Sequence, residues 1–304
     1  MVRTIRFGPV AAGGMAAAVL FAGHITHAAD LVYHVVEHWA PLPGMEWGEV
    51  TGVAVGAKGQ IYALRRGEPP VVELDPSGKV LKTWGDQMFV WPHGFRVDRN
   101  GFIWITDGRA ADGRGQQVFK LTPEGRVVLT LGTKGVSGDT PQTFNGACDV
   151  AVAGNGDIFV ADGHVNARIV KFSRDGTFIK SWGKKGDGPG DFNVPHAVAF
   201  DSRGRLFVAD RGNRRIQIFD QDGRLLDQWT QFGRPSGLLI MPDDTLYVAD
   251  PIDRKAILFG SAMDGSVRGS IEGSLPESIA IGSDGALYAG ETTTGHTLRK
   301  LVKQ

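Results

Sequence analysis

The chain has 304 residues, with 33 Lys+Arg against 33 Asp+Glu and a formal net charge of zero. That balance excludes the basic excess with which nucleic-acid binders and polybasic membrane-surface proteins meet phosphates. A single Cys excludes a disulfide framework and a Cys-rich zinc site, so a metal must be held by His and carboxylates.

Residues 1–28 read as a secretory signal. Arg3 and Arg6 give the positive start, FGPVAAGGMAAAVLFAG is apolar and small, and Thr26-His27-Ala28 offers small residues for cleavage after Ala28 or Ala29. An uncleaved membrane anchor is the alternative. The expectation is an exported protein, periplasmic or secreted, with residues 29–304 as one domain that leaves the membrane after cleavage and works as a monomer.

From Thr51 the chain repeats itself. TGVAVGAKGQIYALRRG, HGFRVDRNGFIWITDG, CDVAVAGNGDIFVADG, HAVAFDSRGRLFVADRG, SGLLIMPDDTLYVADP and ESIAIGSDGALYAGE share an apolar run, a Gly-bearing or Asp-bearing turn and a second apolar run. They begin at Thr51, His93, Cys148, His196, Ser236 and Glu277, at intervals of roughly 40 to 55 residues. The longer intervals carry ADGRG at 111–115 and a TKGVSGD stretch at 133–139. A third and fourth run follow in most units, as in IVKF-SRDG-TFIKSWG. Short Val-, Ile- and Phe-rich runs bounded by Gly turns are antiparallel strands in hairpins, and four per unit is the signature of a propeller blade. About a fifth of the chain is Gly or Pro, which suits many tight turns.

The sixth unit ends in TLRKLVKQ, its third strand. VVEHW at 35–39 resembles the fourth strands VLKTW at 80–84 and FIKSW at 178–182, so it is predicted to complete the last blade and close the ring. The fold expected is all-β, a six-bladed propeller.

The residue opening each innermost strand should face the central channel. Blades two, four and six place His93, His196 and Glu277 there, each after a Pro, about 120° apart. Two imidazoles and a carboxylate on one axis make a metal-ligand set, with zinc the first choice and iron or manganese as alternatives. The plainer readings are histidines donating to backbone carbonyls and a Glu277 paired with a channel Arg. His164 follows the Asp-Gly of blade three at the mouth, where an imidazole suits acid–base work. Arg66 and Arg211 suit a substrate carboxylate, because a guanidinium grips it with a two-pronged fork, with surface ion pairing as the alternative.

Asp107, Asp162, Asp210 and Asp250 recur at one repeat position and should cap backbone N–H groups. Trp84, Trp182 and Trp229 should pack between blades, and Cys148 should be a small buried residue. GKKGDGPGD at 183–191 lacks the ending of a phosphate loop and is expected to be an interblade loop.

GDGPGDFNVPHAVAFDSRGRLFVADRGNRRIQIFDQDG, from Gly186, closely resembles the NHL repeat. The whole mature chain is similar to the six-bladed NHL propeller of the peptidyl-α-hydroxyglycine α-amidating lyases. That resemblance implies cleavage of a C-terminal α-hydroxyglycine to a peptide amide and glyoxylate, around an axial zinc held by three His. It places zinc ligands at His93 and His196 and substrate-contacting arginines at Arg66 and Arg211. Glu277 stands at the third zinc His, His164 at the catalytic Tyr of the family's DGY motif, and Leu275 at a Met. The function expected is a metal-dependent lyase-like or hydrolase-like enzyme on a small hydroxylated or carboxylate substrate, or on a peptide. The alternative is a non-catalytic propeller that binds a protein or glycan.

Overall fold

The structure, a computed structural model, describes residues 33–293 and 298–304. The signal segment 1–28 lies outside the described residues. The described strands form six four-stranded antiparallel sheets. Their first strands are Val50–Val55, Pro92–Val97, Ala147–Val152, Pro195–Phe200, Gly237–Ile240 and Pro276–Ile281. Each first strand contacts those of both neighbouring blades, from blade one round to blade six and back to blade one. Among the described residues no helix is long and apolar enough to cross a membrane.

Burial follows position in the blade. Middle strands such as Leu206–Asp210 and Arg215–Phe219 are buried throughout, because neighbouring blades cover both faces. The fourth strand, Leu225–Trp229, is half exposed on the rim and ends on buried Trp229. The core is therefore a set of seams between blades. Tyr62 and Leu64 of blade one meet Phe95 and Ile105 of blade two in one seam. Trp104 meets Val160 in the next, and Phe159 meets Val208 in the third. Trp84 and Trp229 sit in such seams as expected, and the Trp182 ring lies 6.2 Å from Phe159 and 6.0 Å from Phe219.

The ring closes through the N-terminal strand, two residues earlier than the sequence pattern placed it. Tyr33–Val35 pairs antiparallel with Leu298–Lys303, in the register Tyr33↔Lys303 and Val35↔Leu301. VVEHW does not run on as a strand, because a turn follows and His38 takes φ 52°. That turn sends Trp39 sideways into the seam between blades six and one. There its ring lies 5.2 Å from Tyr288 and its Nε1 donates to Pro76 O at 3.1 Å. Removing residues 33–40 is expected to expose the Leu298–Lys303 edge and to cause aggregation or a large fall in melting temperature. A soluble truncation with an unchanged melting temperature would refute this account of closure.

The repeated aspartates are caps, and each pins the loop that enters its own blade's first strand. Asp107 accepts Val90 N at 2.9 Å and Trp91 N at 2.6 Å. Asp162 accepts Asn145 N at 2.9 Å, Asp210 accepts Asn193 N at 2.7 Å, and Asp250 accepts Arg234 N at 2.7 Å. Blade six uses Glu291 in the same way, on Leu275 N at 2.7 Å. The 183–191 segment is an interblade loop: the carbonyls of Asp187, Gly188 and Asp191 surround the Arg215 guanidinium at 2.8–2.9 Å.

Candidate metal centre and channel mouth

The axial residues owe their direction to a local irregularity. In five blades the pairing of first and second strand shifts register at the axial position: Thr51, His93, Cys148, His196 and Glu277 fall inside the shift. A residue in such a bulge is freed from the ladder, so its side chain can be re-aimed. All six expected positions, Ser236 included, line one cavity of about 30 Å³ on the axis. That volume suits an ion or a water.

Two histidines have fixed tautomers. His93 Nδ1 lies 2.8 Å from Cys148 O, and His196 Nδ1 lies 2.8 Å from Ser236 O. A carbonyl only accepts, so each Nδ1 carries a proton, and in the neutral ring each Nε2 presents a lone pair to the channel. The plainer reading of these histidines and the metal reading are thus one arrangement, since metal-binding imidazoles hold their other N–H in this way. Burial, aided by the neighbouring His196, His164 and Arg66, holds the His93 pKa well below its usual value, so the ring stays neutral.

His164 joins them. The Asp162-Gly163 turn carries it over the mouth, with Gly163 N donating to Gly146 O at 3.0 Å. Gly163 is obligatory, because a Cβ there would lie 2.0 Å from Pro195 O. His164 Nε2 stands 2.9 Å from His93 Nε2. Burial, with His196 and Arg211 nearby, lowers its pKa to about 3. One ligand atom from each of His93, His164 and His196 lies within 4.8 Å of the others.

Glu277 borders this trio. Its Oε1 is 3.2 Å from His196 Nε2, 3.9 Å from His93 Nε2 and 3.5 Å from Arg211 Nη1. Burial alone would raise its pKa; His196, Arg211 and His164 together more than offset that and hold it at about 2. His196 Nε2 is buried and has no hydrogen bond, although this carboxylate faces it. A lone pair facing an ionised oxygen is stable only with a cation or proton between them. The residues therefore fit a metal ion: three imidazoles and one carboxylate converge, and one donor atom is left orphaned.

Cys148 is buried, its thiol pKa pushed up by burial, and its Sγ donates to Gly146 O at 3.3 Å. Beyond the axial ring, away from the His164 mouth, Arg96 reaches across the channel to Asp149 Oδ1 at 3.0 Å, Leu238 O at 3.0 Å and Val198 O at 3.4 Å, touching blades three, five and four.

At that mouth Arg66 pairs with Glu49 at 2.5 Å and lays its guanidinium 4.0 Å from the Trp91 ring centroid. Trp91 in turn lies 5.0 Å from the His93 ring and 4.9 Å from His164. The sequence reading passed over Trp91 and over Arg109, whose guanidinium is 4.1 Å from the same indole. The signal was present: Asp107-Gly108-Arg109 in blade two repeats Asp162-Gly163-His164 in blade three.

The NHL repeat family matches residues 192–219. The chain is 34% identical to mouse (Mus musculus) NHL repeat-containing protein 3 over 257 residues, 77% of this chain and 73% of that one. It is 37% identical to Peptidyl-alpha-hydroxyglycine alpha-amidating lyase 1 of Drosophila melanogaster over 189 residues, 57% of this chain and 33% of that one. Peptidyl-glycine alpha-amidating monooxygenase B of Xenopus laevis is 32% identical over 298 residues, covering 83% of this chain. The chain spans about a third of that relative's length, 34%. Among solved structures, a streptogramin B lyase superposes with a TM-score of 0.63 at 18% identity, over 90% of this chain and 98% of the other, which supports the fold alone. The blades, the closure and these relatives together make the chain a member of the NHL-repeat six-bladed propeller family, homologous to the peptidyl-α-hydroxyglycine α-amidating lyases and to NHL repeat-containing protein 3.

Proposed function

We propose that this protein is an exported, metal-dependent lyase-like enzyme acting on a small hydroxylated carboxylic acid. The observation that carries the reading is the buried, orphaned His196 Nε2 facing His93, His164 and Glu277. His93, His164 and His196 would hold the ion, with Glu277 as the anionic group at its edge; zinc suits this donor set best. When bound, a divalent ion polarises a substrate oxygen and lowers the pKa of a hydroxyl. The backbone carbonyls of Cys148 and Ser236 keep two imidazoles in the ligating tautomer. Arg211 and Arg66 grip a substrate carboxylate, and Glu277 Oε1 accepts the hydrogen bond of its hydroxyl. Arg96 ties blades three, four and five together at the far end. His164, neutral, carries its one ring proton on Nε2 when it donates to His93, and would carry it on Nδ1 instead when Nε2 serves as a ligand.

The relatives support a lyase, but His164 and Glu277 replace two residues that the amidating reading requires. A hydroxyglycine peptide is therefore not the preferred substrate. A non-catalytic platform has no use for His, Glu and Arg converging on its axis. The test is elemental analysis of protein purified without added metal, followed by a screen of hydroxylated carboxylic acids beside a hydroxyglycine peptide. About one divalent metal per chain and turnover of a hydroxy acid are expected. Metal-free protein, or efficient turnover of the peptide above every hydroxy acid, would overturn the reading.

A further inference from the structure

The mouth holds one arginine that the site has not used. Arg66 is engaged by Glu49, and Arg211 faces Glu277. Arg109 is exposed, and among the described residues its guanidinium has no carboxylate and no hydrogen-bond acceptor; its recorded partner is the Trp91 ring at 4.1 Å. A guanidinium resting on an aromatic face keeps its in-plane N–H groups free, so the fork is pre-organised and vacant for an anion.

Its placement is built rather than accidental. Ile103–Ala111 and Arg114–Leu121 have 9 and 8 residues, against 5 in each of the corresponding strands of blade four. The extra length is the 111–115 insertion, and it carries the Arg109 hairpin outward. Gly115 makes the return possible: its φ is +84°, and a Cβ there would lie 1.8 Å from Arg109 O. The hairpin is braced from both sides. Arg114 Nη1 donates to Gln87 O at 2.6 Å, and Gly135 N donates to Gly115 O at 2.9 Å. Gly108 N donates to Trp91 O at 3.1 Å, as Gly163 N does to Gly146 O beside His164. Two contacts, 4.1 Å and 5.0 Å, lead from the Arg109 guanidinium through the indole to the His93 ring.

We infer that Arg109 reads a second anionic group on the substrate, so that the site takes a small dicarboxylic acid in preference to a monocarboxylic one. The inference rests on the reading above for the place of the first carboxylate, at Arg66 and Arg211. The second extends along Trp91 to Arg109, making Arg109 a specificity-determining residue.

The experiment is binding calorimetry with succinate, glutarate and adipate beside butyrate, valerate and hexanoate. It uses wild type and Arg109→Gln, with metal content and hydroxy-acid turnover measured on the same preparations. At least one diacid is expected to bind the wild type tenfold or more tightly than its chain-matched monoacid. Arg109→Gln should cut that advantage to twofold or less and leave the monoacid affinity and the metal content unchanged. An advantage that survives Arg109→Gln, an absent advantage, or no binding of any acid at millimolar concentration overturns the inference. A diacid advantage that tracks Arg109 in a protein without metal or turnover would leave it standing and remove the lyase reading instead.

Discussion

Replacing His93 by Ala or Gln is expected to bring the metal content to near zero and to abolish turnover. His93 is the hub of the cluster: its Nε2 is 2.9 Å from His164 Nε2, and its ring centroid is 4.7 Å from that of His196. Losing a ligand would remove the polarisation that a bound ion would supply, worth several kcal/mol, or about three orders of magnitude in rate. His196→Ala should do the same. His164→Phe is expected to lower metal affinity and rate together, because in the proposed site the same Nε2 would serve both. Elemental analysis and steady-state kinetics on the three variants check this, and circular dichroism confirms that the blades are intact. Full metal content in His93→Ala, or unchanged activity in His164→Phe, would remove those residues from the site.

Asp210→Ala is expected to cost about 3–5 kcal/mol of stability, the range for stripping a buried charged group of its partner. Asp210 is fully buried and accepts from Asn193 N at 2.7 Å, Asn213 Nδ2 at 2.8 Å, Arg215 Nε at 2.8 Å and Gln217 Nε2 at 3.2 Å. Without it, the buried Arg215 keeps only carbonyls and an amide. The effect should reach the site. Asn193 precedes Val194, a β-branched residue held at φ 61°, a conformation that costs energy and persists only where its surroundings impose it. Val194 leads through Pro195 to His196. Urea unfolding should show the stability loss, and the same variant should bind metal more weakly. Asp222→Ala, on an exposed turn of the same blade, should change stability by less than about 0.5 kcal/mol. Equal stability of the two variants would show that the repeated aspartates are not structural.

The blades were legible because each is a local hairpin series: alternation, Gly turns and recurring Asp mark strand, turn and cap within a few dozen residues. The axial ring followed by counting repeats, and its six members do line one cavity. Closure was legible as a missing strand, but its register was not. VVEHW has the apolar start and closing Trp of a fourth strand, yet the φ of 52° at His38 ends pairing early and gives Trp39 to the seam. A motif match cannot foresee a turn that the packing of Trp39 on Tyr288 decides.

At the site, the residue types and repeat positions of His93, His196, His164, Glu277, Arg66 and Arg211 came from the chain alone. That His164 reaches the Nε2 of His93, that Glu277 lies between His196 and Arg211, and that Arg96 spans the far end came only from the tertiary structure. The reason is physical. Repeat position sets where a Cα sits in its blade, within one hairpin. Which donor atoms meet on the axis depends on bulges, tautomers and side chains converging from positions 40 to 142 residues apart, from His196 with Ser236 to Arg96 with Leu238.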